Sequence, residues 1–224
     1  FAKEQFGFRK GLSTTIAIMD LLDEIHTNNE NRLITQATLL DLSKAFDCIP
    51  HDRLLDKLYR YGIRGLSLDL IRSYFQNRWQ CVVEKGKFSS KKRITIGVPQ
   101  GSILGPLFFL VYINDLPTNV PSKGKILFAD DTTLLDAAKT IEDVNYRSKN
   151  SLKLAANWLT LNQLTMNEEK NQNIIFSLAT EHTSSDHPNC VTLLGFVLDG
   201  KLTWRSHIDH LAAKLNPVLF QLKK

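Results

Sequence analysis

The stretch Lys125–Leu135, KILFADDTTLL, sets two adjacent carboxylates between two apolar runs. In a continuous strand neighbouring side chains point to opposite faces, so Asp130 and Asp131 could not converge on one partner there. A tight reversal removes that obstacle, and aspartate tolerates turn geometry. The stretch therefore reads as a hairpin with the acidic pair at its bend. Working outward, the run Ala37-Thr38-Leu39-Leu40 ends on Asp41 as Lys125–Phe128 ends near Asp130. Two such strands side by side would bring all three carboxylates to one sheet edge. An all-oxygen set of this kind suits a hard octahedral cation, most naturally magnesium. Two ions held about 3.5 to 4 Å apart can activate an attacking oxygen and stabilise a leaving one in phosphoryl transfer. On spacing alone the same residues also describe an exposed acidic turn and a helix cap.

The 224 residues suffice for one large or two small domains, with apolar and charged fractions of 43% and 23% that are ordinary for a folded chain. Twenty-eight basic against 23 acidic residues leave a net charge of +5, which suits a polyanionic partner without identifying one. Cys48, Cys81 and Cys190 are odd in number and far apart, which argues against a disulfide framework. The most apolar stretch, Ile103–Ile113, is interrupted by Gly105-Pro106 and is shorter than the roughly 20 residues of a membrane span. No signal peptide is visible, and no membrane association is expected. The chain begins at Phe1 and closes on Lys223-Lys224, and it reads as a piece of something longer.

Ser13 followed by TTIAIMDLLDEI predicts a capped helix with Ile16, Met19, Leu22 and Ile25 on its apolar face. ITQATLLDL reads as a strand, and RLLDKLYRYGI as a helix stopping at Gly62. Another helix is expected over Leu66–Asn77, then a hairpin of WQCVVEKG and KKRITIGV joined by the loop GKFSS. PQGSILGPLFFLVYIND is a bend leading into a buried helix. Ile141, Val144, Leu152, Ala155, Trp158 and Leu159 predict one more helix face, and NIIFSL a strand. A second hairpin is expected to turn at Gly200-Lys201. A last helix would carry Ile208, Leu211, Leu215, Leu219 and Leu222 and be disturbed at Asn216-Pro217.

The ordered set QFGFRKGLSTTIAI, LLDLSKAFDCIPHDRLLDKLYRYGI, NRWQCVV, GVPQGSILGPLFFLVYINDLP, FADDTTLL, LTMNEEK and LLGFVLDGKLTW resembles the reverse transcriptases of non-LTR retrotransposons along nearly the whole chain. The resemblance implies an α+β fold, a right-hand polymerase palm of antiparallel strands backed by helices. Partial fingers and a connecting helix would occupy 1–36, and the palm 37–198 with a fingers insertion near 66–96. The end of a primer-grip hairpin and the start of a thumb would occupy 199–224. Further fingers strands upstream, a complete thumb and any endonuclease domain would belong to the parent protein.

By the same resemblance, Asp41, Asp130 and Asp131 take the catalytic positions that bind two magnesium ions. Leu42, Phe46, Gln100, Gly101 and Lys170 take nucleotide-binding positions, and Leu194 and Gly195 primer-binding ones. A bulky ring at Phe46 would exclude a 2′-hydroxyl and so favour deoxynucleotides. Lys170 would assist the leaving pyrophosphate; where the family usually has threonine after that lysine, this chain has Asn171. The implied partners are an RNA template, a DNA primer and deoxynucleoside triphosphates. The implied setting is intracellular, in a cytoplasmic ribonucleoprotein and the nucleus. The alternative is a catalytically incomplete nucleic-acid-binding remnant of a retroelement polymerase.

Other motifs carry less. Gly195 to Gly200-Lys201 nearly spells a phosphate loop, but Leu202 and the strand-like LTW follow where Ser or Thr and a helix are needed. His182, His187 and Cys190 match no familiar zinc module. Lys85, Lys87, Lys91, Lys92 and Arg93 form a basic loop able to track a template backbone, or simply a solvated one.

Overall fold

The computed structural model describes residues 1–177 and 190–222, the side chains of Leu219 and Leu222 excepted. The polar segment 178–189, with His182 and His187, lies outside the described residues. Helix α1 (Thr14–Glu30) leads into β1 (Ile34–Leu40) and the short β2 (Leu42–Ser43). A 3-10 turn at Ala45–Asp47 precedes α2 (His51–Arg60) and α3 (Leu66–Phe75). The short strands β3 (Trp79–Gln80), β4 (Val83–Glu84), β5 (Lys87–Phe88) and β6 (Lys92–Arg93) make a ribbon. Next come α4 (Leu104–Ile113), α5 (Leu116–Asn119), β7 (Gly124–Phe128) and β8 (Asp131–Ala138). The order closes with α6 (Ile141–Leu161), β9 (Thr165–Met166), β10 (Gln172–Phe176), β11 (Cys190–Leu193), β12 (Phe196–Asp199) and α7 (Arg205–Leu222).

The main sheet is antiparallel with strand order β10-β1-β8-β7, an α+β arrangement. Both faces are covered, which explains why its strands are apolar at consecutive positions. Leu134 joins a core with Leu40, Leu127, Leu58 of α2, Phe108 of α4 and Trp158 of α6. Its neighbour Leu135 joins the opposite core with Ile126, Ala37, Ile174 and Ile18 and Leu21 of α1. A shift of one residue in either strand would exchange these two sets.

Helix α1 begins as its sequence predicts, with the Ser13 hydroxyl oxygen accepting from the Ile16 amide. Its buried face is Ala17, Ile18, Leu21, Ile25 and Asn28, rotated from the expected one, so Ile16 and Met19 are exposed. Ala17, wholly buried, lets the helix backbone come close to the sheet. In α6 the sequence pattern misses two serines: Ser148 and Ser151 are buried with Val144, Ala155, Trp158 and Leu159. The Ser148 and Thr38 hydroxyls share a hydrogen bond of 2.8 Å, and Ser151 donates to Asp136 Oδ1 at 2.9 Å. Burial pushes the Asp136 carboxyl above its ordinary pKa, and the Ser151 bond opposes that.

Two expected hairpins turn elsewhere. In the ribbon, β3 pairs with β6 and β4 with β5, and the chain reverses at Lys85-Gly86, both at positive φ (49° and 77°). Positive φ at both loop positions matches the twist of two-residue hairpins, so the reversal takes only the first residue of GKFSS, Gly86, and Lys87-Phe88 become strand. The second hairpin reverses at Leu194-Gly195 (φ 49° and 87°), closed by the pair Leu193 and Phe196. The segment LTW is not its second strand. Helix α7 also runs through Pro217, on an exposed stretch where water can take the carbonyl that proline leaves unpaired.

Asp199 explains why β12 stops and α7 begins. Burial works against its charge. Hydrogen bonds from the Thr203 amide and hydroxyl and from the Lys201 and Trp204 amides, at 3.0 to 3.2 Å, nevertheless hold its pKa below the ordinary 3.8. Asp199→Ala is expected to lose about 2 kcal/mol of stability at pH 7. A depressed folded pKa contributes stability that is complete above 3.8 and is lost as pH falls through the folded value. Urea unfolding at pH 7 and pH 3 checks this: the difference between parent and variant should shrink in acid, and an equal difference at both would refute it.

Candidate functional site

The antiparallel register of β1 and β8 pairs Leu40 with Thr132, so the next residues along, Asp41 and Asp131, fall at the same end of the two strands. Strand β8 is reached from β7 by a two-residue reversal, Ala129-Asp130, closed by the pair Phe128 and Asp131. Asp130 therefore sits in the turn, while Asp131 already belongs to the strand. Ala129 takes φ 57°, at a loop position where two-residue hairpins favour glycine. Asp131 reaches solvent, yet the surrounding protein removes part of its hydration. That burial, then the charges of Asp130 and Asp41, raise its pKa above the ordinary carboxylate value.

Repulsion among three carboxylates is what a bound cation relieves, and the all-oxygen donor set fits a hard divalent ion. As the side chains are placed, no three acidic, histidine or cysteine groups among the described residues are gathered closely enough to hold a metal. Convergence on an ion therefore needs side-chain rotation.

Asp41 is tied down from the other side. Its carbonyl accepts from the Asn167 amide at 2.8 Å, and its amide donates to Asn171 Oδ1 at 3.4 Å. Lys170 lies 3.8 Å from its carboxylate. Asn171, standing where the resemblance leads one to expect threonine, thus contacts the backbone of an acidic residue. A cleft of about 400 Å³ opens here, lined by Asp41, Asp131, Glu169, Lys170, Thr192 and Leu194 among others. Leu194, first residue of the reversal at Leu194-Gly195, is one of the lining residues, and a Cβ at Gly195 would meet nothing within 4 Å.

Phe46, Gln100 and Gly101 do not line that cleft. Phe46 stacks on Phe109 with ring centroids 4.5 Å apart and meets Phe8 edge-on at 6.5 Å. Its carbonyl accepts from the Val98 amide at 2.8 Å, and Gln100 donates to Asp47 Oδ1 at 3.0 Å. These bonds stitch the segment after β2 to the one before α4. Gly97 allows the close approach, since a Cβ there would lie 2.7 Å from the Asp47 carbonyl oxygen. Gly101, at φ 77°, is exposed. Leu42 pairs with Met166 and buries its side chain in the core, which leaves only its backbone for a ligand.

Gln5 and Gly7, which the sequence reading did not single out, lie against the acidic turn. Residues 4–6 pair with β7 through Leu127, and Gln5 Oε1 accepts from the amides of Gly7 and Ala129 at 2.8 and 3.0 Å. In the sequence both stand in the motif QFGFRKGLSTTIAI, which carried the resemblance but gave them no role.

Among the described residues no helix is long and apolar enough to cross a membrane. A family model described as reverse transcriptase (RNA-dependent DNA polymerase) matches residues 1–198. The probable RNA-directed DNA polymerase from transposon X-element of Drosophila melanogaster is 29% identical, over 95% of this chain and 25% of that protein. The RNA-directed DNA polymerase from mobile element jockey of the same species is 31% identical, over 93% of this chain and 24% of that protein. The chain thus spans about a quarter of the length of these relatives. Among solved structures, an apo telomerase from Candida tropicalis truncated from its C-terminal domain matches with a TM-score of 0.62 at 15% identity, over 90% of this chain and 40% of that one. A telomerase of the same organism in complex with a TWJ fragment of telomeric RNA matches at 0.60 and 12% identity, over 91% and 34%. At such identities the likeness establishes the fold, with its helices and antiparallel sheet.

Proposed function

The chain belongs to the reverse transcriptase (RNA-dependent DNA polymerase) family, and from that premise we propose that it is the core of an RNA-templated DNA polymerase of a mobile element. The observation that carries this reading is the β1–β8 register, which sets Asp41 beside Asp131 at the bend that holds Asp130. In the reaction a primer 3′-oxygen attacks the α-phosphorus of a deoxynucleoside triphosphate. A new P–O bond forms, the bond to the β-phosphate breaks, and pyrophosphate leaves while the 3′-hydroxyl proton passes to solvent.

Asp41, Asp130 and Asp131 would hold magnesium, two ions, which supplies activation of the 3′-oxygen and neutralises phosphate charge. Lys170, beside Asp41, presents a cation to the departing pyrophosphate. Phe46, braced from below by Phe109, excludes a ribose 2′-hydroxyl. Gln100 and Gly101 border the nascent base pair, Leu42 contributes backbone, and the Leu194-Gly195 reversal bears on the primer end across the cleft. In this assignment 1–36 is partial fingers with a connecting helix, 37–198 palm with a fingers insertion near 66–96, and 199–224 the hairpin end and the start of a thumb.

A second reading, a nucleic-acid-binding remnant without catalysis, is favoured by the absence of a converged metal-binding group among the described residues. Primer extension on an RNA template with four deoxynucleotides and magnesium separates the two. The chain should be run beside a longer protein carrying its upstream residues. Extension by either establishes the polymerase reading, whereas binding of primer-template by both without extension would establish the remnant.

A further inference from the structure

We propose that Gln5 is a positioning residue for the acidic turn, and that the strap Glu4–Gly7 sets the aim of Asp130 by fixing the backbone of Ala129; the inference rests on the polymerase reading above. Gln5 is 1% exposed, although it is polar and lies outside the helices and main sheet. Its Oε1 takes the Ala129 amide at 3.0 Å and the Gly7 amide at 2.8 Å. Ala129 is itself buried, so without this acceptor a turn amide would be left unpaired away from water. On its main-chain side the strap is fixed to β7. Phe6 donates to the Leu127 carbonyl at 2.7 Å, and Leu127 donates to the Glu4 carbonyl at 2.9 Å.

Two further features make the contact one of position as well as stability. Ala129 holds φ 57°, a conformation that costs a residue with a Cβ about 1 kcal/mol and persists where neighbours enforce it. Gly7 lies so close that a Cβ would stand 2.4 Å from the Ala129 nitrogen and 2.9 Å from the Phe128 carbonyl carbon. The strap thus holds the Phe128–Ala129 peptide, one residue ahead of Asp130, on both its hydrogen-bonding and its steric side. The Gln5 Nε2 group has no partner among the described residues, so the acceptor oxygen is the functional atom of the side chain. A displacement of about 1 Å at a reacting group can slow chemistry about 100-fold.

The test compares Gln5→Met, which keeps length and loses the acceptor, with Gln5→Glu, which keeps an acceptor. Amide hydrogen exchange at Ala129, exchange across β1 and β8, and primer-extension rate against deoxynucleotide concentration are measured on each. The expected result for Gln5→Met is a saturating rate lower by about 10- to 100-fold, an unchanged KM, lost protection at Ala129 and retained protection in β1 and β8. Gln5→Glu should retain the Ala129 protection. A Gln5→Met rate within twofold of the parent overturns the inference. So does a loss that comes only together with lost protection across β1 and β8, since that marks general support. If neither the parent chain nor the longer protein extends a primer, the polymerase reading fails separately and the exchange arm decides: lost Ala129 protection alone sustains the strap, and unchanged protection refutes it.

Discussion

Asp130→Ala is expected to lower DNA synthesis by at least about 10³-fold while leaving thermal stability equal to the parent's or slightly higher. The rate loss follows from removing one of three carboxylates proposed to hold the ions, which supply several kcal/mol of transition-state charge stabilisation. Stability should hold because, after burial, the Asp130 charge is what disfavours ionised Asp131, so its removal relieves repulsion in the folded state. The turn itself is kept by backbone pairing between Phe128 and Asp131 and by Gln5, neither of which needs the Asp130 side chain. Extension rate and unfolding midpoint, measured on the same preparation, check both halves. An active Asp130→Ala protein would move the chemistry elsewhere, and an unfolded one would show the turn to depend on the carboxylate.

The second large effect is expected at Gly97→Ala, about 3 kcal/mol or more of lost stability with DNA synthesis reduced alongside. Gly97 holds φ 85°, where a Cβ is strained whatever the space. The space is absent as well: the Cβ would meet the Asp47 carbonyl oxygen at 2.7 Å and its carbonyl and α carbons at 3.0 Å. These are backbone atoms that no rotamer change can move. To make room, the segment carrying Phe46 must separate from the one carrying Gln100, stretching Gly97–Ile49 and Val98–Phe46 backbone bonds of 2.7 and 2.8 Å. Urea unfolding and extension assays test this, and a midpoint unchanged within experimental scatter would show that the two segments are not clamped there.

Much of this architecture was legible in the sequence because apolar runs flank each acidic residue. The hairpin around Asp130, the strand before Asp41 and the helices α2, α4 and α6 all follow from period and punctuation. What failed was decided by single long-range contacts. Gly200-Lys201 looked like a hairpin turn, yet the Asp199 carboxylate gathers the amides beyond it and starts a helix. The true reversal falls one strand earlier, at Leu194, a residue that sequence reasoning does not expect at positive φ. For the candidate site, residue types and strand ends offered the carboxylates as candidates and the resemblance gave them a role, but the Lys170 ion pair with Asp41 depends on β2–β9 pairing. Gln5 had no periodic pattern to announce it, and its partner Ala129 is more than 120 positions away.

The serines on the inner face of α6 bear on how the chain avoids wrong answers while it folds. Apolar seams between a helix and a sheet tolerate slippage, since one leucine greets another almost as well a turn away. Sliding α6 by one turn, about 5.4 Å, would part Ser148 from Thr38 and Ser151 from Asp136 and strand those groups in a dry seam. Directional bonds of this kind add little net free energy when made and cost more when broken. They act as a registration key, penalising near-miss packings and widening the energy gap beneath the one arrangement in which β1 and β8 end side by side.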